Sequence, residues 1–101
     1  MKRMFAASVA GLLLVTVNAG LAGDLAAGKS RAASCSGCHG VKGISANPLW
    51  PNLAGQKDAY LAKQLKAFRD GTRSDPMMTP MAKPLSDADI DNLSAFYAGL
   101  K

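Results

Sequence analysis

Residues 35–40 read Cys-Ser-Gly-Cys-His-Gly, and they hold both cysteines and the only histidine of the 101-residue chain. Two thiols three positions apart, with an imidazole directly behind the second, suit three chemistries: a thiol–disulfide redox pair, part of a zinc site, or covalent attachment of haem. A structural zinc site needs four protein ligands and a catalytic one three plus water, with the ligands commonly spaced several residues apart. Here His39 adjoins Cys38, and a carboxylate would have to be recruited as well. A redox pair belongs at a helix N-terminus beside a βαβ pattern, where the dipole lowers the thiol pKa. This pair instead follows a helical stretch in a chain without strand-like alternation. A plain disulfide across so short a loop is a weak staple. Haem attachment uses every residue: Cys35 and Cys38 add across the two vinyl groups, and His39 falls where its Nε2 can bind the iron.

The rest of the chain agrees with that choice. Lys2 and Arg3 are followed by the uncharged run AASVAGLLLVTV at 6–17 and then by small residues. A basic start, a short apolar run and a small-residue zone describe a secretory signal peptide. The run is too short for a membrane-spanning helix, which needs about 20 apolar residues. Residues 1–19 are read as the leader, with cleavage after Ala19 or as late as Ala22, and 20–101 as one domain of about 80 residues. A domain of that size has a marginal core unless a cofactor or staple adds to it. A porphyrin supplies a flat apolar object for short helices to wrap. Loss of Lys2 and Arg3 lowers the formal charge from +5 to +3, with no basic run and no aromatic–basic interleaving, so nucleic acid is not an expected partner.

The mature chain reads as all-α, three to four short helices separated by long loops. The alanine-rich stretch from Leu25 to Ser34 predicts the first helix. Gly40 to Lys57, with Gly43, Pro48, Pro51 and Gly55, predicts an ordered loop. Asp58 is expected to cap a helix in which Leu61, Leu65 and Phe68 recur at helical spacing and which Gly71 ends. A second loop, Thr72 to Pro84, carries three prolines. Ser86 then opens the last helix with Asp89 as its capping-box partner, Ile90, Leu93 and Tyr97 as its buried stripe, and Gly99 as its end. Loops this long in a small domain usually carry function or enclose something.

A haem that carries electrons needs a sixth ligand, and no second histidine exists. The mature chain has three methionines, all within Asp75-Pro-Met-Met-Thr-Pro-Met81: Met77, Met78 and Met81. Methionines commonly fill core gaps. Three in one proline-stiffened loop point instead toward ligation. A thioether ligand and burial of the iron both favour the reduced state.

The order of helix, CSGCHG, proline-rich loop, amphipathic helix, methionine loop and final helix resembles the class I c-type cytochromes. It is most similar to the small bacterial monohaem kind and to one half of the dihaem bacterial kind, over Asp24 to Leu100. The resemblance implies a small cytochrome c fold wrapped around one covalently bound haem c. In the family segment similar to Trp50-Pro-Asn-Leu-Ala-Gly-Gln56, a proline carbonyl accepts from the proximal histidine, which implies a bond from His39 to Pro51. Near relatives carry the ligand methionine seven residues before the leucine leading into the last helix; counted from Leu85 this implies Met78, with Met81 as the alternative. Gly28 against Tyr97, or else Phe96, resembles the family's crossing of first and last helices.

The function so implied is a periplasmic single-electron carrier, haem-bound through Cys35 and Cys38 with His39 and Met78 on the iron. It is not expected to be an enzyme, because both axial positions are closed. The alternative is a haem protein with a labile sixth ligand, acting as a sensor or minor peroxidase. Expected partners are redox proteins, a membrane electron-transfer complex and a terminal oxidase or reductase, met by a monomer that is not inserted in the membrane. Lys42, Lys57, Lys63, Lys66 and Lys83 either ring the haem edge and steer docking or are scattered solvated charges that keep the protein soluble.

Overall fold

Asp24 opens the first helix, its Oδ1 accepting from the N–H groups of Ala26 and Ala27 at 2.9 and 3.1 Å. The computed structural model describes residues 23–101, and Gly11 ahead of them. The expected leader and its cleavage point lie outside the described residues. Helix α1 covers Leu25–Arg31 and tightens into a 3-10 turn at Ala32–Ser34, so the single helix expected over 25–34 is two segments. A further turn, α2, covers Ser36–His39. Helix α3 covers Asp58–Asp70, α4 covers Met78–Ala82 and α5 covers Asp87–Ala98. No strand forms among the described residues, and none of the helices there is long and apolar enough to cross a membrane.

Two expected caps fared differently. Ser86 and Asp89 form a reciprocal capping box on α5, each bond 3.0 Å long. The Ser86 N–H holds the Asp89 carboxyl below its ordinary value. Asp58, expected as the N-cap of α3, is instead its first helical residue, and Lys57 occupies the cap without a side-chain bond. An acid in the first turn still interacts favourably with the helix dipole. Gly71 ends α3 in the left-handed region at φ 88°, as expected.

The stretch expected to be an unbroken loop from Thr72 to Pro84 contains α4. Pro80 does not prevent it, since it stands third in a helix whose first turn has no intrahelical partner for its N–H groups.

Helix α1 lies against α5, α3 also packs on α5, and α4 rests on α3. Ile90, Leu93 and Tyr97 of α5 form the centre of the core with Leu61 and Phe68 of α3 and Ala82 of α4. The α1–α5 crossing depends on Gly28. A methyl group there would meet the Asn92 carbonyl and lie 2.8 Å from Phe96 Cβ. The residues in close contact are thus Asn92 and Phe96, not Tyr97, which turns its ring into the core. Gly28→Ala is expected to destabilise the haem-bound protein by about 1–3 kcal/mol in denaturant unfolding, because the added carbon has no space. Gly37→Ala, with nothing within 4 Å, should cost nothing, and this contrast checks the cause.

Candidate haem site

The spacing of the six-residue motif has a geometric reason. His39 N–H donates to the Cys35 carbonyl at 3.0 Å, and Gly40 N–H donates to that of Ser36 at 2.9 Å, closing one helical turn. In that turn residues i, i+3 and i+4 share one face, so Cys35, Cys38 and His39 point the same way. The motif therefore forms its own turn after the 3-10 segment and does not simply end the first helix. Gly40 leaves the turn at φ 85° with the Ile44 carbonyl against its Cα, a place where a side chain has neither the backbone freedom nor the room.

That face borders a cavity of about 550 Å³, within the range of cofactor pockets. Cys35, Cys38, His39 and Met78 all line it, as do Met77 and Met81. Its apolar wall comes from the 40–57 loop through Leu49, Trp50 and Leu53, and from α3 through Leu61, Leu65 and Phe68. The loop is braced to hold this wall. Leu53 and Ala54 N–H groups donate to the Gly43 carbonyl at 2.8 and 3.0 Å, and Gly55 N–H reaches the Tyr97 carbonyl at 3.0 Å. The Ser45 N–H donates to Asn52 Oδ1 at 2.7 Å.

His39 is buried, and its Nδ1 lies 2.8 Å from the Pro51 carbonyl oxygen. A carbonyl only accepts, so this contact places the proton on Nδ1 and leaves Nε2 with its lone pair. Neither cysteine is in a disulfide. Ser94 Oγ and Tyr97 Oη are buried without a hydrogen-bond partner among the described residues, and both residues border the same cavity. Burial pushes the Tyr97 phenol well above its ordinary pKa, and the Cys35 sulfur adds to the shift. That sulfur is near enough to act on the phenol electrostatically, but the geometry is not that of a hydrogen bond. Free thiols, an oriented imidazole, thioethers and a large apolar wall are a donor set and enclosure that fit haem.

Met78 packs onto the core, whereas Met77 and Met81 are 55% and 46% exposed. Asp75, which sequence reasoning passed over, accepts at one carboxylate oxygen from the N–H groups of Met78 and Met77, and these bonds hold its carboxyl below the ordinary range. The Asp-Pro pair ahead of two methionines was the available signal, since Asp commonly bonds backbone two and three residues on. Lys42, Lys57, Lys63, Lys66 and Lys83 do not border the cavity; the cationic side chain that does is Arg73, stacked 4.4 Å from the Phe68 ring centre.

The family model for cytochrome c matches residues 25–101. The chain is 46% identical over 80 residues to cytochrome c-554(548) of Halomonas halodenitrificans, covering 76% of this chain and 96% of that protein. It is 42% identical over 103 residues to a thiosulfate dehydrogenase electron acceptor of Thiomonas intermedia, covering 100% of this chain and 45% of that one. Reduced recombinant cytochrome c4 from Pseudomonas stutzeri superposes with a TM-score of 0.75 at 40% identity, over 79% of this chain and 47% of that one. The chain thus spans about half the length of the latter two and nearly all of the first.

Proposed function

This chain belongs to the cytochrome c family, and from that premise we propose that it is a periplasmic single-electron carrier with His39 and Met78 as the axial ligands of its haem. Haem c, attached through Cys35 and Cys38, supplies one-electron chemistry, the iron passing between Fe(II) and Fe(III). The observation that carries the reading is the convergence of both thiols, the oriented His39 ring and Met78 on one apolar cavity. Pro51 fixes the tautomer and makes Nε2 a better donor. The core contacts of Met78 favour its sulfur over two half-exposed neighbours. The apolar wall lowers the local polarity around a bound haem, which disfavours the additional charge of the ferric state.

The polar groups near the methionine turn are engaged with its backbone: Asp75 with the N–H groups of Met77 and Met78, and Thr79 Oγ1 with the Asp75 N–H. These bonds commit Asp75 Oδ1 and Thr79 Oγ1 to shaping the turn, which supports a carrier over an enzyme.

Redox proteins are the partners of such a chain. A membrane electron-transfer complex and a terminal oxidase or reductase remain the proposed ones, and similarity to a thiosulfate dehydrogenase electron acceptor adds a sulfur-oxidising dehydrogenase as a donor. Exposed Leu49, Trp50, Met77 and Met81 border the cavity and form an apolar docking rim. With the lysines off this rim, steering by charge should be weak and the on-rate only mildly sensitive to salt.

Covalent attachment is directly testable. Mass spectrometry of the exported protein should show a chain beginning after Ala19 or Ala22, one haem heavier than its sequence, with Cys35 and Cys38 closed to thiol reagents. Two free thiols in the purified protein, or zinc in place of iron, would end the haem reading. Cys38→Ala should mature poorly, because the cofactor that completes a marginal core is then held by one bond.

A further inference from the structure

Three chemically equivalent sulfurs within five residues need something that decides among them. Met77, Met78 and Met81 all border the cavity. Met78 and Met81 stand three apart on α4 and so share a helix face. Residue type and helix face therefore do not choose between them, and the core contacts of Met78 do so only while α4 is held in its present place. A five-residue helix is also too short to hold its own position, since the first turn costs more than its single bond returns.

Asp75 supplies the missing constraint. Its Oδ1 accepts from Met77 N–H at 2.8 Å and from Met78 N–H at 2.9 Å. Its own N–H donates to Thr79 Oγ1 at 2.9 Å, and its carbonyl accepts from Thr79 N–H at 3.1 Å. One residue thereby ties down the chain on both sides of Met78. The segment before it is anchored in turn to α3, through Arg73 N–H on the Ala67 carbonyl at 3.0 Å and the Arg73 guanidinium on Gln64 Oε1 at 2.7 Å. Bonds from N–H to a carboxylate are about twice as strong as neutral ones.

We propose that Asp75 is the positioning residue that selects Met78, over Met77 and Met81, as the sulfur presented to the haem iron; this rests on the reading of Met78 as the ligand. Bringing Met81 to the same place moves α4 along its axis by nearly one turn, which breaks both carboxylate bonds. Without the carboxylate the two N–H groups turn to water and only the backbone bonds between residue 75 and Thr79 still hold the start of α4, so that Met81 competes. Asparagine keeps an acceptor oxygen at the Oδ1 position but carries no charge, which separates positioning from electrostatics.

The test uses the haem-loaded protein. The ferric spectrum, whose weak far-red band reports sulfur on iron, and the midpoint potential are measured for Asp75→Ala, Asp75→Asn and Met78→Ala. Asp75→Ala should split into two low-spin forms or lose the band in part, and adding Met81→Ala should remove the second form. Asp75→Asn should restore a single form. A wild-type band and potential in Asp75→Ala overturn the proposal, and so does an Asp75→Asn protein that behaves like Asp75→Ala. If Asp75→Ala is not produced, Asp75→Glu replaces it, keeping the charge but moving the oxygens by one methylene. Two forms for glutamate and one for asparagine support selection by position, and one form for both overturns it. If Met78→Ala leaves the band in place, the ligand reading itself falls, whatever the Asp75 variants do.

Discussion

His39→Ala is expected to abolish the low-spin visible spectrum and to leave a chain that matures poorly and unfolds early. The chain has no other histidine, so no imidazole from elsewhere in it can take over. His39 is 6% exposed, and removal of its ring opens a gap in the wall that carries both cysteines. It also deletes the bond to the Pro51 carbonyl, worth about 0.5–1.5 kcal/mol net. The iron bond is the larger loss. A domain stable by only about 5–15 kcal/mol does not readily absorb both. Imidazole added to the solution separates the two roles of the ring. It should return a low-spin iron without returning the tie to the 40–57 loop, so the spectrum recovers further than the melting temperature. A His39→Ala protein that is low-spin at an unchanged potential contradicts the assignment.

The same residue shows what was legible in advance. A pattern whose meaning is set by local chemistry reads directly: Cys35, Cys38 and His39 must share a helix face to serve one cofactor, and one turn of helix puts them there. The buried stripe of α5 and its capping box read equally well, because twelve residues give periodicity room to repeat. The bond from His39 to Pro51 followed only from resemblance, since a contact between residues twelve apart across a loop leaves no local signature. Helix α4 was hidden for a different reason. Five residues hold barely more than one turn, and Pro80 reads as a breaker unless its place in the first turn is known. For the partner of Gly28 the first choice was Tyr97, and it is the alternative, Phe96, that makes the contact. Two adjacent aromatics on a helix differ by about 100° in direction, and which one faces α1 depends on the crossing, which is a tertiary quantity.

Met78→Ala is expected to erase the far-red sulfur band and to lower the midpoint potential by something on the order of 100 mV or more, a fraction of the range that axial ligands command. The sign follows from ligand character: a thioether favours Fe(II), and the harder ligand that replaces it favours Fe(III). Lys83 is exposed just past the end of α4 and does not border the cavity, so water is the expected replacement. Met77→Ala should leave spectrum and potential nearly unchanged, since that side chain is 55% exposed and lies outside α4. Met81 is the informative competitor. In a flexible loop its sulfur would reach the iron only if the segment slid; on α4 it lies on the same face as Met78, about 4.5 Å further along the axis. Rescue by Met81 therefore requires α4 to move by nearly a turn against α3, breaking the Asp75 bonds as it goes. A partial band in Met78→Ala that disappears in the Met78→Ala/Met81→Ala double variant would show that this movement occurs. If Met81→Ala alone abolishes the band while Met78→Ala keeps it, Met81 is the ligand and Met78 is a core residue. If none of the three substitutions disturbs the band, the sixth ligand is not a methionine, and a haem protein with a labile distal site becomes the better description.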